Sequence, residues 1–211
     1  MLLVVAATEM ELGPVRERLA GEPRFDFLAC GIGPVEAAVR LGTVLASSPR
    51  KYDLVLHCGV AGAYVGAGAE VLDVCLAARE VLGDLGIEAN GGVVPFPSSL
   101  AVVVEFPLDP ALVRQAALLL PESRIGTFVT VNTATATAAR GATLRDRFGA
   151  LCENMEGAAV ARVCQELALP CLEVRAVSNL VEDRNTAAWR LAEACQRNAE
   201  ATAMLAKALR S

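Results

Sequence analysis

Apolar positions along this chain change their period many times. Leu2 to Ala7 is an unbroken apolar run, which predicts a strand buried on both faces, and Leu12, Val15 and Leu19 then recur at helical spacing within Glu9 to Leu19. Phe25 to Cys30 predicts a second strand. A turn at Gly31-Ile32-Gly33-Pro34 leads into a helix from Val35 to about Ala46, and Asp53 to Cys58 reads as a third buried strand. Further strands are predicted at Val71 to Ala78, Ile125 to Val131 and Cys171 to Val177. Helices are predicted at Pro110 to Leu120, Thr137 to Phe148, Gly157 to Leu167 and about Thr186 to Leu209. The stripe of the last helix runs through Trp189, Ala192, Cys195, Ala199, Thr202 and Leu205, which makes Trp189 first of all an anchor of that helix. Glu80 to Pro107, rich in Gly and Pro, predicts irregular chain or an excursion toward a partner subunit.

The alternation places the chain in the α/β class, as a three-layer α/β/α domain around a central mixed, mostly parallel sheet. At 211 residues a single domain spanning 1–211 is expected, long enough to bury a substantial core. Although 54% of residues are hydrophobic, no uninterrupted apolar segment approaches the roughly 20 residues that cross a bilayer, so no membrane partner is expected. The apolar start lacks a basic flank and runs straight into Glu9 and Glu11, which reads as a first strand and not as a secretory signal. A cytoplasmic location is expected. The seven cysteines are an odd number without a CxxC pair, so they read as buried reduced thiols and not as a disulfide framework or zinc site. A net charge of −5 without a basic cluster or an aromatic platform argues against nucleic acid and leaves a small molecule as the expected partner.

In sheets of this kind ligands gather beyond the carboxyl ends of strands. The residues at those stations are Thr8, Glu9, Met10 and Glu11; Gly31 and Gly33; Gly59-Val60-Ala61-Gly62; Asn132-Thr133; Glu156; and Ser178-Asn179. Carboxylates and an amide thus surround glycine-lined space. Gly31-Ile-Gly-Pro-Val-Glu36 approaches a dinucleotide fingerprint, but Glu36 stands where the third glycine belongs, so it reads as a turn. No Gly-Lys-Ser/Thr follows to make a phosphate loop. With His57 the only histidine, neither a Ser/His/Asp triad nor a histidine-based metal site is available, and no metal or cofactor is expected.

The chemistry therefore rests on carboxylates, and Glu153-Asn154-Met155-Glu156-Gly157-Ala158-Ala159 is the richest stretch. A carboxylate here can accept from two neighbouring sugar hydroxyls, Met155 can cover the sugar face, and the small residues let the helix approach a sheet or ligand closely. Equally open on these residues alone is that Glu153 and Glu156 favour the positive end of the helix dipole.

Taken together, Ala7-Thr-Glu-Met-Glu11, Cys30-Gly-Ile-Gly-Pro34, Cys58-Gly-Val-Ala-Gly62, Glu153-Asn-Met-Glu-Gly157 and Arg175-Ala-Val-Ser-Asn179 resemble, in order and across nearly the whole chain, the stations of the nucleoside phosphorylase and nucleosidase superfamily. Within it the chain is most similar to the futalosine hydrolases, relatives of the methylthioadenosine/S-adenosylhomocysteine nucleosidases. The resemblance implies hydrolysis of the N-ribosidic bond of futalosine, releasing hypoxanthine and dehypoxanthine futalosine on a route to menaquinone. It also implies a homo-oligomer, a dimer or built from dimers, with Val93 to Phe106 as the stretch to examine for the partner.

By the same resemblance Glu11 is the acid that orients and deprotonates the attacking water, against a bland alternative of a solvated acid in the first helical turn. Glu156 holds the ribose hydroxyls, Met155 packs on the sugar, and Val60, Ala61 and Gly62 supply close backbone. Thr133 and Thr135 belong to the segment flanking the base. A stacking phenylalanine usual there is replaced by Thr133-Ala134-Thr135, which leaves Phe96, Phe106 or Trp189 as substitutes, each with core packing as the competing role. Asn179 stands where the adenine-cleaving relatives place an aspartate. Its oxygen can take a proton carried on N7 while its NH₂ donates to a 6-oxo group; its other reading is a cap for its loop. His57 and Val60 occupy stations where the phosphorylases hold phosphate, which favours water as nucleophile. Arg175 and Arg184 remain as anion ligands, Arg184 facing either a substrate carboxylate or Glu182 and Asp183 at the surface. The alternatives are an adenine nucleosidase acting on aminofutalosine or methylthioadenosine/S-adenosylhomocysteine, a phosphorylase, and a non-catalytic nucleoside-binding protein on the same fold.

Overall fold

The computed structural model describes residues 1–89 and 92–209. The chain opens with β1 (Leu2–Ala6), α1 (Glu9–Arg18), β2 (Phe25–Ala29), α2 (Pro34–Ser47) and β3 (Leu54–Tyr64). There follow β4 (Val74–Leu82), a short antiparallel pair β5 (Ile87–Ala89) and β6 (Gly92–Val94), a 3-10 turn at Ser98–Leu100, and β7 (Glu105–Pro107). The second half consists of α3 (Pro110–Leu119), β8 (Arg124–Thr130), α4 (Ala138–Phe148), β9 (Ala150–Asn154), α5 (Gly157–Glu166), β10 (Cys171–Val181), a 3-10 turn at Thr186–Ala188 and α6 (Leu191–Ala208). Local chemistry sets the helix starts. Thr8 and Glu11 form a capping box on α1, Asp109 accepts from two amides at the start of α3, and Thr137 accepts from the Arg140 amide at the start of α4.

The fold is α/β with a mixed sheet, and its core is the continuous apolar strand β1 covered by helices. β1 pairs in parallel with β2 and β3, while α1 packs on α6 and α2 on α5. One feature departs from a simple open sheet. β3 pairs with β10 in parallel and with β9 antiparallel, and β10–β4–β8–β9 then leads back to β3, so five strands form a closed ring. The closure depends on the length of β3 and β10. Both are 11 residues and run on past Cys58 and Val177, so Gly59 to Gly62 and Ser178-Asn179 lie within strands and not in loops after them. The two strands stay paired from Cys171–Val55 to Val181–Tyr64, with a register shift between Val177 and Asn179 that re-aims the side chains there.

Other expectations shift by smaller amounts. β4 begins at Val74 and not at Val71, and it extends through Glu80 into the stretch expected to be irregular. Of that stretch, Glu80 to Pro107, β7 returns to pair with β4, and positions 90 and 91 lie outside the described residues. The last helix starts at Leu191, so Trp189 precedes it and Ala192 is exposed. Its buried stripe is Ala194, Cys195, Asn198, Ala199, Thr202 and Leu205. All seven cysteines are buried and unpaired. No helix among the described residues is long and apolar enough to cross a membrane.

Candidate active site

A cavity of about 280 Å³ opens where the β1–α1 junction, the middle of β3, the end of β9 and the end of β10 converge. Among its lining residues are Thr8, Met10, Glu11, Ile32, Val60, Ala61, Gly62, Thr135, Met155, Glu156, Arg175, Ser178, Asn179, Arg184 and Trp189. A roomier cleft of about 480 Å³ lies at the opposite end of the sheet, around Met1, Phe25, Leu54 and Leu209, but its acids Asp53 and Asp109 are exposed. Convergence of buried titratable groups, and not volume, marks the smaller cavity as the functional candidate.

Glu11 is buried, not solvated. Its Oε2 accepts from the Thr8 amide (3.0 Å) and hydroxyl (2.7 Å), and its Oε1 accepts from the Val60 amide at 3.0 Å. Three donors orient the carboxylate and leave it acceptor capacity toward the cavity. The approach of β3 is close enough to require glycine at position 59: a Cβ there would stand 2.6 Å from Glu11 Oε1 and 3.1 Å from Arg175 Nη1.

Glu156 is the N-cap residue of α5, yet its carboxylate does not cap that helix. Asn154 Oδ1 does so instead, accepting from the amides of Glu156 (3.0 Å) and Gly157 (2.7 Å). Relieved of capping, Glu156 turns toward the cavity. Its Oε1 accepts from the Gly33 amide at 2.9 Å and its Oε2 lies 3.7 Å from Arg175 Nη1. The Gly31 to Pro34 segment is a turn, as expected, with Gly31 at φ 85° and Gly33 at φ 91°, a conformation that glycine adopts without strain.

Arg175 joins the two acids. Its Nη1 donates to the Val60 carbonyl at 3.0 Å, so Val60 is held through its N–H by Glu11 and through its C=O by Arg175. Burial alone would push this guanidinium down, but the charges of Glu173, Glu156 and Glu11 hold it above its ordinary value. Behind it, Glu173 Oε1 accepts from Arg175 Nε at 2.8 Å and lies 3.3 Å from His57 Nδ1. Burial favours the neutral form of Glu173, yet His57 and Arg175 outweigh it and hold the carboxyl at about 2.

Glu80 behaves in the opposite way. It is fully buried, and desolvation together with the Glu173 charge pushes its carboxyl well above the ordinary range. A proton on Glu80 also makes its contacts consistent. Thr130 Oγ1 lies 2.7 Å from Glu80 Oε2 and 3.1 Å from Asn154 Oδ1, and one hydroxyl proton cannot serve both acceptors. With Glu80 donating to Thr130, the Thr130 hydroxyl is free to donate to Asn154 while it accepts from the Ala158 amide at 2.8 Å. The first turn of α5 is thus fastened to a neutral acid.

The remaining expected residues divide. Thr135, Met155 and Asn179 line the cavity along with Val60, Ala61 and Gly62. Asn179 Nδ2 donates to the Leu180 carbonyl at 3.0 Å, and its Oδ1 accepts from Ser178 Oγ at 2.8 Å. Because a carbonyl only accepts, the first bond fixes which end of the amide is nitrogen, and each end keeps capacity for a ligand. Glu153 is committed elsewhere, accepting from Tyr64 Oη (3.1 Å) and from the amide (2.8 Å) and hydroxyl (2.6 Å) of Thr135. It fixes the Thr135 segment. Thr133 is not brought to the cavity: it is exposed and its amide contacts Asp84. Of the three aromatic candidates, Phe106 is buried in the core and Phe96 lies in the β6–β7 connection, while Trp189 lines the cavity with Arg184 4.9 Å above its ring. Arg184 makes no ion pair among the described residues, so the expected surface pairing with Glu182 or Asp183 is absent.

Sequence reasoning passed over Glu80, Thr130 and Glu173, used His57 only to argue against a triad, a metal site and phosphate, and left Arg175 without a definite place. One signal was available: Glu173 and Arg175 are two residues apart, hence on one face, within the otherwise apolar run Cys171 to Val177. Charges in such a strand must be paired to be tolerated.

Comparison with known proteins gives the family and the fold. Residues 20–210 match the family described as the phosphorylase superfamily. The chain is 39% identical over 191 residues to a futalosine hydrolase of Streptomyces coelicolor, covering 89% of this chain and 80% of the relative. It is 30% identical to a 5'-methylthioadenosine/S-adenosylhomocysteine nucleosidase of Geobacillus thermodenitrificans, covering 89% and 78%. The native structure of the futalosine hydrolase of Helicobacter pylori superposes with a TM-score of 0.86 over 99% of this chain and 97% of that one, at 20% identity, a likeness of fold. The chain belongs to the phosphorylase superfamily, and within it to the futalosine hydrolases.

Proposed function

We propose that this protein hydrolyses the N-ribosidic bond of futalosine, releasing hypoxanthine and dehypoxanthine futalosine, as a single-domain cytoplasmic homo-oligomer on a route to menaquinone. The observation that carries the mechanism is the convergence of two buried carboxylates, Glu11 and Glu156, on one cavity with the Arg175 guanidinium beside both. Glu156 accepts from the ribose hydroxyls, with Met155 on the sugar face, and its charge favours the oxocarbenium character that develops at C1'. Water held by Glu11 gives its oxygen to C1' and a proton to Glu11, and the electrons of the C1'–N9 bond leave with the purine. A proton taken from solvent onto N7 is held by Asn179 Oδ1, whose Nδ2–H faces the 6-oxo group. Thr135 borders the base, Trp189 offers it or the substituent an aromatic face, and Arg184 meets the negative charge of the substrate's carboxylate.

The test follows free base by chromatography from futalosine and, separately, from aminofutalosine in phosphate-free buffer. Hypoxanthine release with little adenine is expected. Adenine release at a comparable rate would move the chain to the adenine nucleosidases, and turnover only on adding phosphate would make it a phosphorylase.

A further inference from the structure

We propose that His57, held by Glu173, is a positioning residue that fixes Arg175 so that one end of its guanidinium stays against Glu156 and the Val60 carbonyl. The inference rests on reading the cavity as the seat of N-ribosidic hydrolysis, and it concerns what lies behind the cavity wall. Arg175 is 1% exposed and every nitrogen of its guanidinium has a partner. Nε bonds Glu173 Oε1 at 2.8 Å, Nη1 bonds the Val60 carbonyl at 3.0 Å, and Nη2 lies 3.1 Å from His57 Nε2 and 3.5 Å from its Nδ1, over the face of the ring. His57 Nδ1 is 3.3 Å from the same Glu173 oxygen. An N–H on Nδ1 donates to Glu173, and the face of the same ring lies against Arg175 Nη2.

This arrangement does what a single ion pair does not. A guanidinium held only at Nε can pivot about that bond and carry Nη1 away from Val60; a partner on Nη2 stops the pivot from the far side. Displacement of Nη1 would reach the reacting groups by two routes. It would alter the charge beside Glu156 Oε2, 3.7 Å away, and through Val60 it would move the amide that holds Glu11. Gly59 lies beside both groups, so close that a side chain there would meet Glu11 and Arg175 alike. A histidine present for packing alone needs no such placing, whereas here an entirely buried ring sets Nδ1 against Glu173 and its face against Arg175.

The test compares His57→Leu, His57→Asn and His57→Gln with wild type for kcat and KM on futalosine, alongside thermal melting. The Gln amide reaches the position of Nε2, 3.1 Å from Nη2, whereas the Asn amide reaches only that of Nδ1, 3.5 Å from it. For the Leu and Asn variants kcat is expected to fall on the order of 100-fold, as for a misplacement of about 1 Å at reacting groups, with KM changed by less than about threefold. The Gln variant is expected to recover kcat to within about tenfold of wild type. Leu and Asn variants that melt like wild type and keep its kcat would overturn the proposal, as would a rise in KM alone or a Gln variant no better than Leu. Should none of the three fold, Glu173→Gln enters the same assay, where a kcat at the wild-type level overturns the proposal and a fall with unchanged KM supports it. A wild-type protein that releases no base from futalosine would instead overturn the functional reading, and this proposal with it.

Discussion

A Cβ on Gly157 would stand 2.0 Å from Glu80 Oε1, so the first residue of α5 and the buried acid of β4 occupy space that admits no side chain. Glu173 Oε2 would be 2.7 Å from the same atom. Gly157→Ala must therefore push the helix start, and Glu156 with it, off its bed of polar partners. A loss of about 1–3 kcal/mol is expected in urea unfolding, the usual cost of overpacking, together with a loss of activity. Gly42 of α2 is the control: its Cβ would meet nothing within 4 Å, so Gly42→Ala is expected to stabilise by about 0.5–1 kcal/mol. Equal effects at the two glycines would refute this account.

Glu80 links stability to pH. Burial and the charge of Glu173 raise its carboxyl above an unfolded value near 4.5, so the contribution of its neutral form is complete below that value. That contribution is lost progressively as pH rises toward the folded value, because the unfolded chain releases this proton first. Glu80→Gln cannot ionise, and its amide keeps one acceptor for Asn154 and one donor for Thr130. The variant is expected to melt close to wild type at about pH 4 and above it at about pH 7, the gap widening as pH rises between them. Glu173, held at about 2, remains in both proteins and cancels to first order. A gap that is constant or narrows with pH would show that Glu80 is not neutral in the folded state.

What was legible in the sequence was what local chemistry determines. The buried first strand, the Gly31 to Pro34 turn and the placing of Glu11 and Glu156 at strand–helix junctions follow from apolar runs, glycines and helix starts within a few residues of each other. The ring closure was not legible, because β3 beyond Cys58 and β10 beyond Val177 extend by pairing with each other, partners more than 100 residues apart in the chain. Trp189 shows the limit of periodicity. It lies at helical spacing from Ala192 and Cys195, but the chain forms a 3-10 turn before it and starts the helix after it, which frees the ring for the cavity. Glu80 sat at the start of a stretch that reads as irregular, and only pairing of β4 with β8 and β7 shows it to be buried.

Glu11 separates binding from turnover. Its carboxylate is oriented by Thr8 and Val60, and an amide of the same shape keeps one acceptor while losing the ability to take a proton from water. Glu11→Gln is expected to lower kcat by about 10²–10⁴-fold. Affinity for the substrate or for hypoxanthine, read by calorimetry, is expected to stay within about tenfold of wild type. A variant that still turns over at a tenth of the wild-type rate would exclude Glu11 as the base, and a wild type that binds without turnover would make the chain a nucleoside-binding protein.

Asn179 decides which purine leaves. Its amide is oriented by the Leu180 carbonyl, which leaves an oxygen able to accept and a nitrogen able to donate. Asn179→Asp replaces the donor with an acceptor, so a 6-oxo group faces oxygen and a 6-amino group finds a partner. The variant is expected to lose about 10- to 100-fold in kcat/KM on futalosine, the cost of an unmatched buried polar group of about 1–3 kcal/mol, and to gain on aminofutalosine. Ser178 keeps its bond, since its hydroxyl donates to Asn179 Oδ1 and can do the same to an aspartate, while the Leu180 carbonyl loses its donor, a cost common to both substrates. Parallel loss on both substrates would mean that residue 179 supports the strand and does not read the base, whereas opposite changes on the two are what base recognition by this amide requires.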